Sequence, residues 1–152
     1  MTSTTNVLLR QPGSVTQVAP EPYTATISRE QVLALLKTTA VGQRDFILVD
    51  TRQKDVEAGT IRGSINLQAE SLPITLPSVY ALFKAAGLRL VIFYCGTSVN
   101  RGRKAAEHLT GHITRVGDRN MKSLVLEGGF KGWAAAGEEY VRWVDAVDVS
   151  SS

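Results

Sequence analysis

The sequence holds one cysteine, Cys95, in 152 residues, which excludes an internal disulfide and fits a reducing compartment. It has no apolar run near the ~20 residues that a helix needs to span a bilayer. The opening Met1-Thr2-Ser3-Thr4-Thr5-Asn6-Val7-Leu8-Leu9-Arg10 lacks a basic start followed by a sustained apolar stretch, so no secretory signal is expected. By default the location is intracellular: cytoplasm first, nucleus second. The formal charge of +3 is small and scattered, and no basic run with interleaved aromatics points to nucleic acid or another polyanion as partner. There is no internal repeat. Only two histidines are present. His108 and His112 are four apart, a spacing that suits zinc on a helix, but Gly111 is expected to end the helix between them. No third ligand stands at a matching spacing, so no metal is expected.

What is present suffices for one core. A 43% hydrophobic chain of this length makes one soluble domain. Residues 1–22, rich in Thr, Ser, Gln and Pro without a period, read as a flexible tail. The folded domain is expected over 23–145, with a C-terminal tail at 146–152. Ser28 with Gln31 forms a capping box, and Ile27 with Val32 a hydrophobic staple, which predicts a helix over 29–38. Phe46-Ile47-Leu48-Val49 is a short buried strand that ends at Asp50-Thr51-Arg52. One helical turn is expected within 55–59 and an extended segment over 61–67. The prolines of Leu72-Pro73 to Leu76-Pro77 predict a loop, with Ser78 capping a helix through Lys84 that ends at Gly87. A strand over 89–95 leads to a helix over 102–110; 112–120 reads as irregular. Another strand covers Ser123-Leu124-Val125-Leu126, and Gly128-Gly129 breaks the chain before a turn or helix around Trp133. Strands alternating with helices predict an α/β domain with a mostly parallel central sheet flanked by helices. Ligands of such sheets bind at the C-terminal strand ends, where Asp50, Arg52, Cys95 and Glu127 would lie.

One spacing stands out. Cys95 and Arg101 are joined by Gly96-Thr97-Ser98-Val99-Asn100, a C-x5-R loop between a strand's C-terminal end and a helix N-terminus. Backbone N–H groups in such a loop converge on one spot above the sulfur. They favour the thiolate, which is the reactive form of a cysteine, and they can hold a tetrahedral oxyanion against it. Arg101 adds two parallel donors, which a lysine cannot present. Arg101, Arg103 and Lys104 put three cations in the helix's first turn, against the macrodipole, a local defect unless an anion is bound.

With four stretches together, the chain resembles the rhodanese-like superfamily over about residues 25 to 140. They are Leu48-Val49-Asp50-Thr51-Arg52, Gly59-Thr60-Ile61-Arg62-Gly63-Ser64-Ile65-Asn66-Leu67, the Cys95 loop, and Leu126-Glu127-Gly128-Gly129-Phe130-Lys131-Gly132-Trp133. Sulfurtransferase members usually carry a six-residue loop, whereas this one, Cys95 through Arg101, has seven. That length is similar to the branch of the cell-division-cycle dual-specificity phosphatases and the eukaryotic arsenate reductases. Ser98, Asn100, Arg101, Gly102 and Lys104 look most like the fungal arsenate reductases. The family's usual histidine before the cysteine is Tyr94 here, which removes one contributor to thiolate stabilisation.

The resemblance implies a nucleophilic Cys95, an oxyanion clamp at Arg101 and a cradle from residues 96–100. An arsenate reductase would carry no bound cofactor and would draw on external glutathione and glutaredoxin, because no second cysteine exists to resolve the first. The alternative is a protein or small-molecule phosphatase working through a phosphocysteine. A thiosulfate-type sulfurtransferase is the second alternative, and a module that only docks a phosphorylated partner the third. Ester cleavage also needs a proton for the leaving group. Asp50 and Glu127 are the candidates for that supporting role, although Asp50 could equally pair with Arg52 or Arg62, and Glu127 could cap the Gly128-Gly129 turn.

Overall fold

A strand of five apolar residues, β5 (Leu90–Tyr94), forms the middle of the sheet. The computed structural model describes residues 24–53, 59–97 and 100–146. The sheet runs β1 (Thr26–Ile27), β6 (Lys122–Leu126), β5, β2 (Phe46–Asp50), β4 (Ser64–Asn66), and each neighbouring pair is parallel. A small antiparallel pair, β3 (Thr60–Ile61) with β7 (Val144–Asp145), stands beside it. The expected tails at 1–22 and, apart from Ala146, at 146–152 lie outside the described residues, as does the expected turn at 55–59 apart from Gly59.

Alternation along the strands sorts the core into two layers. Val91 and Phe93 of β5 and Val49 of β2 pack under α2 (Leu72–Ala85) and α3 (Arg101–Val116). Ile92 and Tyr94, with Phe46 and Leu48, face α1 (Arg29–Thr38), α4 (Gly129–Ala134) and α5 (Glu138–Val141). The N-terminus of α1 follows its local chemistry. Ser28 Oγ accepts from the Gln31 N–H at 3.1 Å, and Gln31 Oε1 accepts from the Ser28 N–H at 3.0 Å.

Two helices exceed their sequence-based bounds. α2 starts at Leu72, not Ser78. Leu72, Leu76, Val79 and Phe83 are its buried residues, and this helical spacing outweighs the prolines. Pro73 sits in the first turn, where no N–H is needed, and Pro77 forfeits one bond on an exposed face. Likewise α3 runs through Gly111 to Val116, because Leu109 and Ile113 extend one buried face. It ends at Gly117, whose φ of 72° suits a left-handed cap. The segment expected to be extended over 61–67 is split instead: β3 joins β7, and after the turn at Gly63 β4 joins β2.

Among the described residues no helix is long and apolar enough to cross a membrane. With α3 continuous, His108 and His112 do share a helix, but His112 packs its ring 4.8 Å from that of Tyr80. No group of three or more His, Cys, Asp or Glu among the described residues could hold a metal.

Candidate active site

Cys95 follows directly on β5, at the strand's C-terminal end. The residue is 3% exposed. α3 approaches this point closely. A Cβ on Gly102 would stand 3.1 Å from the Cys95 nitrogen and 3.2 Å from the Tyr94 backbone. Glycine at 102 thus lets the helix's first turn rest on the strand end. Lys104 N–H to the Asn100 carbonyl, 2.9 Å, opens the helical ladder. The amides of Gly102 and Arg103 have no acceptor inside the helix, and Asn100 supplies no side-chain cap. Arg101, Arg103 and Lys104 occupy that turn with no acidic residue among them.

The orientation of the loop comes from α4. The Phe130 N–H donates to the Cys95 carbonyl and the Lys131 N–H to the Gly96 carbonyl, both at 2.9 Å. No described peptide bond is cis, and in a trans unit C=O and N–H point in opposite directions. The N–H groups of Gly96 and Thr97 are therefore turned away from α4. Gly129 makes this docking possible. Its φ is 60°, and a Cβ there would lie 2.6 Å from both the Cys95 and Gly96 oxygens. By contrast Gly96 meets only Lys131 Cε, 3.9 Å from such a Cβ. Ser98 and Val99 lie outside the described residues; Thr97 and Asn100 are exposed.

Beneath the loop lies a buried polar network. Asp50 is 0% exposed. Its oxygens accept from Arg52 Nε at 2.9 Å and Nη2 at 2.7 Å, and from Thr60 Oγ1 at 3.1 Å. Arg52 also donates to the Gly59 carbonyl at 2.6 Å and stacks its guanidinium 4.3 Å from the Phe130 ring centre. The Tyr94 hydroxyl bonds with Thr60 Oγ1 at 2.7 Å and Ser64 Oγ at 2.8 Å, and accepts from the Ile61 N–H at 3.1 Å. Burial above all, then the Asp50 charge, pushes the Tyr94 phenol up to about 12.

The structure therefore separates residues that the sequence put in one list. Asp50 is paired with Tyr94 across β2 and β5, and its carboxylate is taken up by Arg52 and Thr60. Tyr94 puts its hydroxyl into the network with Thr60, Ser64 and the Ile61 N–H. Glu127 is exposed, accepts from Thr26 Oγ1 at 2.9 Å and stands at the β1 edge.

Sequence reasoning passed over another acid. The chain after β4 is laced to the end of β2 by Leu67 N–H to the Asp50 carbonyl, 2.9 Å, and Ala69 N–H to the Thr51 carbonyl, 3.2 Å. A 3-10 turn, Ala69–Ser71, follows, packs against α3 and leads into α2. It carries Glu70. A hydrogen bond from the Gln53 side chain first, then one from Glu70's own N–H, hold its carboxyl below the usual range; burial opposes them, and the Arg101 charge adds the smallest effect, also downward. Gln53, Glu70 and Arg101 come from three separate segments, so no sequence spacing announces them.

Comparison with known proteins adds a second line of observation. The family model of the rhodanese-like domain matches residues 28–136. Arsenate reductase 2.2 of Oryza sativa subsp. japonica is 27% identical over 123 residues, which is 79% of this chain and 89% of that protein. Among solved structures, the As-Sb reductase from Leishmania major superposes with a TM-score of 0.68 over 75% of this chain and 79% of its own, at 22% identity, a likeness of fold. A yeast protein tyrosine phosphatase of the rhodanese family gives 0.62 at 26% identity, over 74% of this chain and 85% of its own.

Proposed function

The chain belongs to the rhodanese-like domain family, and on that premise we propose that it is a cysteine-dependent enzyme acting on a tetrahedral oxyanion, an arsenate reductase that uses an external thiol. Cys95 is the nucleophile, Arg101 the clamp, and residues 96–100 the backbone cradle. The observation that carries this reading is the pair of bonds from α4 to the Cys95 and Gly96 carbonyls. With those carbonyls held, the loop's first amides are turned from α4, which supports their use as donors to the negative charge that accumulates as an oxyanion is attacked. The relative named arsenate reductase supports the choice of substrate.

In the first step a sulfur–arsenic bond forms and an arsenic–oxygen bond breaks, the oxygen leaving as water. A thiol such as glutathione then attacks the Cys95 sulfur, and the sulfur–arsenic bonding pair passes to arsenic, which departs as As(III). The mixed disulfide left on Cys95 is reduced by a second thiol; glutaredoxin is the expected partner, since the chain has no other cysteine. The second reading is a phosphatase, in which the same attack gives a phosphocysteine that water hydrolyses. The phosphatase of the same family among the structural neighbours favours it. Against it stands the lack of a leaving-group acid at Asp50.

The test offers the purified protein three assays in parallel: arsenate with glutathione and glutaredoxin, an aryl phosphate, and thiosulfate with cyanide. Turnover of arsenate is expected to lead. Activity confined to the aryl phosphate would replace the reductase reading with the phosphatase, and activity confined to thiosulfate would replace both with sulfur transfer.

A further inference from the structure

We propose that Glu70 sets the specificity of this site, its carboxylate accepting a hydrogen bond from a hydroxyl of the bound oxyanion, so that tetrahedral anions still carrying a proton are preferred over those carrying none. This rests on the oxyanion reading above. Glu70 stands on the α2/α3 side of the sheet, on the turn that opens α2 and packs against α3, the helix that begins at Arg101. It is exposed, so an incoming anion can reach it. The charge of Arg101, the residue assigned to clamp that anion, reaches Glu70 weakly, and Gln53, just after β2, holds the carboxylate by a hydrogen bond.

Arg101 and the loop amides are donors, and donors alone draw in any oxyanion of the right size. They do not ask whether it is protonated. An ionised carboxylate beside them does, because it repels a bare dianion and accepts from a hydroxyl. At neutral pH arsenate and inorganic phosphate keep at least one hydroxyl; sulfate and thiosulfate keep none. A phosphate monoester, with its second ionisation near ~6, is mostly a dianion without one. Glu70 thus favours arsenate over a phosphate ester and over a sulfur donor. The hydrogen stays on the substrate oxygen, and no proton transfer is involved.

Binding, not turnover, tests this. Inorganic phosphate and sulfate would be titrated calorimetrically at neutral pH into Cys95→Ser protein, with and without Glu70→Gln, and with Glu70→Asp as the conservative variant. Phosphate is expected to be preferred with Glu70 present, and the preference to shrink about tenfold or more in Glu70→Gln, mainly through tighter sulfate binding. Glu70→Asp should keep its sign. An unchanged ratio in Glu70→Gln, or equal weakening of both anions, would overturn the proposal even if arsenate is turned over. If neither anion binds while Glu70 is intact, the oxyanion reading itself falls, and this inference with it.

Discussion

At the ends of β2 and β5 the backbone hands successive residues to two unlike environments. Toward α1 and α4 go Asp50 and Tyr94, which meet Arg52, Thr60, Ser64 and the Ile61 N–H in a buried network. Above them stands Cys95, with its loop held by α4, the first turn of α3 resting on the strand end at Gly102, and three cations in that turn. The first set has its partners inside the protein; the second is arranged around a place for something that arrives. What joins them is Phe130, whose ring lies under the Arg52 guanidinium and whose N–H holds the Cys95 carbonyl. Two faces of one sheet edge thus divide the labour. Changes on the upper face should cost activity and spare stability, and changes on the lower face should do the reverse.

The largest contrast comes from Cys95→Ser. Turnover is expected to fall at least ~10³-fold while the urea midpoint stays at the parent value; retained turnover in the purified variant would end covalent catalysis. Asp50→Asn should show the mirror image. It strands the buried Arg52 charge, a change that costs about 3–5 kcal/mol, read as a lowered urea midpoint. The folded enzyme should keep kcat within an order of magnitude, because the Asp50 carboxylate is buried and bonded to Arg52 and Thr60. A general acid would instead contribute about 10²–10⁴ in rate, so a loss of that size at intact stability would return Asp50 to catalysis. Gly129→Ala strikes the joint between the faces. Its Cβ would meet loop oxygens at 2.6 Å, with φ at 60°, so about 2–4 kcal/mol of stability and anion binding in a calorimetric titration should be lost together. A variant losing only one of the two would separate what Phe130 is argued to couple.

How much of this the sequence disclosed follows from distance along the chain. The capping box at Ser28 and Gln31 is a local device, and so is the C-x5-R spacing; both could be read from neighbours alone. The course of α2 was legible in principle from Leu72, Leu76, Val79 and Phe83, but Pro73 and Pro77 are stronger local signals than that spacing. Gly111 misled in the same way, since tertiary burial of Leu109 and Ile113 outweighs the roughly 1 kcal/mol that a helical glycine costs. That Asp50 lies beside Tyr94 and is taken up by Arg52 and Thr60 is a tertiary fact. Gln53, Glu70 and Arg101 converge only once β4 has been laced to β2 and α3 has settled on the sheet. The aim of the loop amides likewise comes from α4, far along the chain.

The smallest expected effect is also the one that best defines the lower face. Tyr94→Phe keeps the ring in the core but removes the acceptor of the Ile61 N–H and a partner of two hydroxyls, at a cost of about 1–3 kcal/mol near neutral pH. The sign of its pH dependence follows from the direction of the shift. The folded phenol is pushed up to about 12, by burial first and the Asp50 charge second, while the unfolded one titrates near ~10. The parent's advantage is therefore complete below pH ~10 and is lost as pH rises through the folded value. The other tyrosines titrate in both proteins and cancel in the comparison. In urea unfolding followed across the alkaline range, the stability gap between parent and Tyr94→Phe should narrow as pH climbs from ~10 toward ~12. A gap that stays constant would mean that Tyr94 reaches water in the folded protein, and the face beneath the loop would then not be the sealed one that holds Cys95 in place.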